Sequence, residues 1–125
     1  CALPDRAVIC FTGDAGFWYH IAEIEVAVRW NINVIVIVNN NSGGNQSKRG
    51  FDRAYGGEQT AEGRQMWTFN TVNFSEIAQN IGAVGIRVEK AEDIQIAIKK
   101  ALHLNKPVII DVVTDIDALA PLAVN

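Results

Sequence analysis

The chain has 125 residues, 49% of them hydrophobic and 20% charged, with a formal net charge of −3 at pH 7. That length fits one domain with its own core and leaves no room for a second, and the charge balance argues against a nucleic-acid surface, which needs excess basic residues. No apolar run approaches membrane-spanning length, and Cys1 and Cys10 lack metal-ligand spacing, so a reduced, cytoplasmic setting is the simpler expectation. The chain starts at Cys1 and nothing in it resembles a signal peptide, so it is expected to be one domain of a larger protein.

Cys1 to Arg6 reads as a lead-in, with Pro4-Asp5-Arg6 turn-like. Ala7 to Thr12 is a short apolar run stopped by glycine, and Val34 to Val38 is a β-branched run stopped by asparagines. Both have the pattern of buried parallel strands, which would also bury Cys10. Between them, Phe17 to Trp30 is long enough for one crossover helix, with Phe17, Ile21, Ile24 and Val28 at helical spacing and Glu25 four residues before Arg29. The stretch from Ser42 to Asn73 has little periodicity, several glycines and mixed charges, including Lys48, Arg49, Asp52, Arg53, Glu58, Glu62 and Arg64. Loops of that length are usually functional or mobile.

Asn73 is placed to cap a helix, with Glu76 in the capping-box position, Phe74, Ile77, Ala78 and Ile81 as its apolar stripe, and Gly82 as terminator. Val84 to Val88 is a strand. Glu92 and Asp93 suit the start of the next helix, Ile94, Ala97, Ile98 and Ala101 form its apolar face, and Asn105 and Pro107 stop it. Val108 to Val113 is a further strand, interrupted only by Asp111, and Asp115 to Asn125 has no clear pattern and reads as an arm packing elsewhere. Strands alternating with helices predict an α/β three-layer sandwich, its mainly parallel sheet covered on both faces.

In a strand–helix–strand unit both strands end on one edge of the sheet, so Asp14 and the pair Asn40-Asn41 should become neighbours. Asp14 offers an anionic oxygen, Asn41 an amide oxygen and Gly43 a backbone carbonyl. Three oxygens of this kind suit Mg²⁺, which leaves its remaining positions to phosphates and water. Ala15 and Gly16 would put backbone N–H groups near an anion at a helix start, so the expected guest is a metal-bound diphosphate.

Gly13-Asp14-Ala15, followed by Asn40-Asn41 at the fixed interval, resembles the signature of the thiamine-diphosphate-dependent decarboxylases and carboligases, acetolactate-synthase-like enzymes in particular. Phe74 to Ala78 with Gly82, Gly85 to Glu89 and Pro107 to Val112 look like the closing half of that family's C-terminal cofactor domain, so the resemblance covers nearly the whole chain. It implies a thiamine-diphosphate-binding fold. Asp14, the Asn41 side chain and the Gly43 carbonyl would ligate Mg²⁺, and Gly13, Ala15, Gly16 and the loop Gly43, Gly44, Asn45 and Gln46 would contact the diphosphate.

The implied reaction is decarboxylation of a small 2-oxo acid, pyruvate foremost, and transfer of the acyl unit to a second carbonyl compound. The activating glutamate is expected outside this chain, in a homodimer or homotetramer whose subunits share the active site, and FAD is possible in a domain also outside it. The resemblance also implies that the segment after Asn41 begins a helix and then forms part of the active-site wall, and Arg49-Gly50-Phe51-Asp52 with Tyr55 is similar to an insert of the glyoxylate carboligases, the alternative reaction. A non-catalytic assembly domain of the same fold would have lost Asp14 or Asn41. A phosphoacceptor receiver using Asp14 would need further acidic residues beside the first strand and a lysine after a later one, and neither stands out. His20 is read as an interface histidine before an acid–base group, Trp18 and Tyr19 as packing residues before pocket lining, and Lys48, Arg49 and Arg53 as a substrate-carboxylate contact or a solvated face.

Overall fold

Four short strands make one all-parallel sheet in the order β1-β2-β4-β3 in a computed structural model of the chain, which describes residues 6–57 and 60–118. They are β1 (Val8–Gly13), β2 (Val34–Asn40), β3 (Val84–Val88) and β4 (Val108–Val113). Six helices connect them: α1 (Asp14–His20), α2 (Ala22–Arg29), α3 (Asn45–Ala54), α4 (Ala61–Gln65), α5 (Phe74–Ile81) and α6 (Ile94–Leu102), the last entered through a 3₁₀ turn at Ala91–Asp93. No described helix is long and apolar enough to cross a membrane.

Strand alternation divides the core in two. Val36, Val38 and Ile109 face one side and meet Phe17 and Ile24 of α1–α2 and Phe74 and Ala78 of α5. Ile35, Val108, Ile110 and Val112 face the other and meet Ala97 and Ala101 of α6. The sheet is therefore covered on both faces by helices, as the alternating pattern predicts. Gly85 lets α5 lie directly on β3, because a Cβ there would sit 1.9 Å from the Ser75 carbonyl oxygen.

The caps follow their residue types. Asn73 accepts from the Glu76 amide at 3.2 Å while Glu76 accepts from the Asn73 side chain at 2.9 Å, and Gly82 ends α5 with a φ of +99° that suits a residue without Cβ. Glu25 and Arg29 form the expected exposed pair at 2.6 Å.

Two expectations are corrected. The first strand is not buried: β1 is an edge, Phe11 is 72% exposed, Val8 and Ile9 about half, and Cys10 is exposed as well. An apolar run reads alike for an inner and an edge strand, so its composition could not separate the two. The single crossover helix begins earlier, at Asp14, and is broken at Ile21, where the Ile24 amide bonds the Ile21 carbonyl in a tight turn. The segment from Ser42 to Asn73 begins a helix after the asparagines, as the resemblance implies: it carries α3 and α4 and a short antiparallel contact between Gly43 and Thr68. The lead-in before Arg6, Glu58 and the end of the arm lie outside the described residues.

Candidate functional site

Adjacent parallel strands bring the site together. Gly13 at the end of β1 pairs in register with Asn39 of β2, so Asp14 and the residues after β2 share the carboxyl edge of the sheet. Asp14 is the first residue of α1 and only 3% exposed. One carboxylate oxygen accepts from the Ala15 amide at 2.7 Å and the other from the Gly43 amide at 3.2 Å. Among the described residues no cationic side chain pairs with it. A buried carboxylate held by amides alone is poised for a cation.

The chain after β2 bends at Ser42, which adopts a positive φ of 56°. It is then pinned by two backbone bonds: the Phe69 amide donates to the Ser42 carbonyl at 2.8 Å, and the Gly44 amide to the Trp67 carbonyl at 2.7 Å. Gly43 sits so tightly between them that a Cβ would lie 2.8 Å from the Trp67 carbonyl oxygen and 2.7 Å from Ile116. The carbonyls of Ser42 and Gly44 are taken by the Phe69 and Lys48 amides, but that of Gly43 accepts nothing from the described residues.

Asn39, Asn40 and Asn41 divide their work. Asn39 accepts from the Thr114 hydroxyl at 2.7 Å. Asn40 is buried, its amide donating to the Val72 carbonyl at 2.9 Å and to Asp111 at 2.8 Å. The Asn41 amide oxygen is buried and has no hydrogen-bond partner. Orphaned buried oxygens are rare and call for an explanation such as a bound ion. A buried carboxylate, an orphan amide oxygen and an unclaimed carbonyl form the hard-oxygen set that Mg²⁺ takes, so these residues fit that ion. No trio of Cys, His, Asp or Glu among the described residues offers a softer site.

The other sequence candidates fall into two groups. A Cβ on Gly13 would meet nothing within 4 Å and its φ is an ordinary −78°, so the fold makes no demand for glycine there. Ala15 donates to Asp14. Gln46 is exposed at the first turn of α3. Gly16, by contrast, is needed by the fold, since its Cβ would lie 2.7 Å from the Thr12 hydroxyl. The Gly44 amide is engaged by Trp67, and the Asn45 side chain donates to the Ile116 carbonyl at 2.8 Å.

The segment after β4 is thus fastened to the loop, and Lys48 strengthens the tie by reaching Asp117 at 2.6 Å and Asp52 at 3.4 Å. The hydrogen bond that Lys48 donates to Asp117 holds the ammonium above its ordinary range, against the opposing pull of desolvation. His20 is exposed beside an apolar recess of about 240 Å³ between β1 and α2. Trp18 packs edge-on against Phe74 with ring centroids 5.1 Å apart, and Tyr19 projects outward. Phe51 and Tyr55 stack on one face of α3.

One cluster was missed in the sequence. Asp111, fully buried in β4, accepts from Asn40, from the Phe74 amide at 2.9 Å and from Arg87 at 2.5 Å, and Arg87 also reaches the Val72 carbonyl at 3.3 Å. Burial pulls the Arg87 guanidinium down, but the hydrogen bond and charge of Asp111 leave it above its ordinary value. The signal was a lone aspartate in an apolar strand, which requires a buried partner somewhere.

Comparison with known proteins agrees with this geometry. Residues 1–112 match the family described as "Thiamine pyrophosphate enzyme, C-terminal TPP binding domain". The chain belongs to that family. Its all-parallel sheet covered by helices is the fold of a TPP-binding domain. A solved thiamine diphosphate-dependent 4-hydroxybenzoylformate decarboxylase from Rhodococcus jostii RHA1 superposes with a TM-score of 0.79 at 31% identity, covering 93% of this chain and 21% of that one.

The acetolactate synthase large subunit of Haemophilus influenzae is 28% identical over 115 residues, 91% of this chain and 19% of the relative. The sulfoacetaldehyde acetyltransferase of Alcaligenes xylosoxydans xylosoxydans is 35% identical over 109 residues, 83% of this chain and 16% of the relative. The TPP-binding domain described here thus spans about a fifth of the length of the proteins it matches.

Proposed function

We propose that this domain holds the Mg²⁺-bound diphosphate of thiamine diphosphate in an enzyme that decarboxylates a small 2-oxo acid, pyruvate foremost, and passes the acyl unit to a second carbonyl compound. The orphan Asn41 amide oxygen, together with a buried Asp14 at the same edge of the sheet that no described cation pairs with, carries the reading. Asp14, Asn41 and the Gly43 carbonyl would hold the ion, and Gly13 leaves open space where a phosphate oxygen could approach the start of α1.

Thiamine diphosphate, when bound, supplies the chemistry of 2-oxo-acid decarboxylation and acyl transfer. The residues of this chain bind and orient. The Gly43 amide keeps Asp14 turned toward the loop, the Trp67 and Phe69 backbone bonds fix the direction of Gly43, and Asn45 and Lys48 tie the start of α3 to Ile116 and Asp117 after β4. The acetolactate synthase among the relatives supports this reading, and the alternatives are glyoxylate carboligation or another decarboxylase, lyase or acetyltransferase reaction, the solved decarboxylase and the acetyltransferase being similar to this chain as well.

The test is calorimetry of the full-length protein with thiamine diphosphate and Mg²⁺, for wild type and Asp14→Ala, together with carbon dioxide release from pyruvate. Binding by wild type that Asp14→Ala abolishes, with release of gas, is the expected outcome. No heat with wild type would overturn the cofactor reading, and binding without turnover of pyruvate would overturn the substrate.

A further inference from the structure

We infer that Asn40, Asp111 and Arg87 form a positioning relay that sets the direction of the Asn41 amide, an inference that rests on the metal reading above and extends it to residues outside the site. Its starting point is where the sheet stops. Asn40 is the last residue of β2, and its carbonyl accepts the Thr114 amide at 2.9 Å, while Asn41 lies beyond the strand. The backbone of Asn41 therefore inherits its direction from Asn40 on one side and from the Ser42–Phe69 bond on the other.

The side chain of Asn40 is held by both of its N–H donors, one on the Val72 carbonyl and one on Asp111. Neighbouring side chains along an extended chain point to opposite sides, so an Asn40 locked by both donors restricts the directions open to the next side chain, Asn41.

Asp111 fixes Asn40 in turn. Its two oxygens take Asn40 on one side and the Phe74 amide with Arg87 on the other, and Arg87 stands opposite Asp111 in the β3–β4 register. Breaking such a cluster is costly, but replacing it whole by well-packed apolar residues is often neutral, so what the hydrogen-bonded network adds is the specification of one arrangement. Its competing role is simple attachment of the 72–74 segment to the sheet, since Val72 and Phe74 are also its partners.

Metal affinity separates the two roles. In the full-length protein with thiamine diphosphate, Mn²⁺ is used in place of Mg²⁺ and its binding followed by the electron paramagnetic resonance of the free ion, with urea unfolding of the metal-free protein in parallel. Asn40→Ala and Asp111→Asn are each expected to weaken Mn²⁺ binding by about 10- to 100-fold in protein that remains folded, as for other groups that orient a ligand. The double variant should be no worse than the weaker single one, because both act along one path. Arg87→Met should weaken binding and Arg87→Lys should largely restore it. Should Asp111→Asn not fold, the partly exposed Arg87 decides the matter by the same comparison. Variants that lower the urea midpoint while their folded fraction binds Mn²⁺ as tightly as wild type would overturn the relay and leave only attachment. A wild type that binds no Mn²⁺ would remove both the metal reading and the relay.

Discussion

Asn40 and Asn41 are the same residue side by side, and the molecule treats them in opposite ways. Asn40 has both amide donors engaged inside a buried cluster with Asp111, whereas the Asn41 oxygen is buried without a partner. Asn39, one position earlier, is tied to Thr114. Residue type therefore does not distinguish scaffold from site in this run; a count of satisfied hydrogen bonds does. Polar groups that serve the fold close on one another, and those that await a ligand are left open. The same contrast holds among the glycines, with Gly43, Gly16 and Gly85 demanded by neighbouring atoms and Gly13 by none.

The contrast can be broken most forcefully from the scaffold side. Asp111→Ala strands Arg87, Asn40 and the Phe74 amide and is expected to cost about 3–5 kcal/mol, read as a drop in the urea midpoint. Gly85→Ala drives a methyl group into the Ser75 backbone and should cost about 1–3 kcal/mol or more by the same measurement. On the site side the sign reverses. Gly13→Ala places its methyl in open space and should raise stability by about 0.4–1 kcal/mol while weakening thiamine diphosphate binding, and a variant that binds the cofactor normally would remove Gly13 from the site.

The smallest effect belongs to Lys48. Its raised pKa means the pairing with Asp117 contributes fully below the ordinary lysine range and is lost as pH rises through the higher folded value. As pH rises through and above the ordinary lysine range, Asp117→Asn should flatten the fall in the wild-type urea midpoint slightly, and identical curves would show that the tie carries nothing.

Much of this was legible in the sequence because its signals are local. The β-branched run of β2, the apolar stripe of α5 with its Asn73–Glu76 cap and Gly82 stop, and the face of α6 all lie within a few turns of chain. The convergence of Asp14 on Gly43 followed from the topology of one strand–helix–strand unit. What escaped depends on distant partners. The role of Asn40 requires Asp111, far along the chain, and the pinning of the loop after β2 requires Trp67 and Phe69 to return to Gly44 and Ser42. The exposure of β1 depends on what lies beside it, which an apolar run does not encode.

The central claim, that the open oxygen of Asn41 is a metal ligand and not a packing accident, is tested most directly by titrating Mg²⁺ into full-length wild type and Asn41→Ala at saturating thiamine diphosphate. The account predicts binding at least about 10-fold weaker in Asn41→Ala, with a urea midpoint equal to or above that of wild type because a buried unsatisfied oxygen has been removed. Equal Mg²⁺ affinity in the two proteins would contradict it.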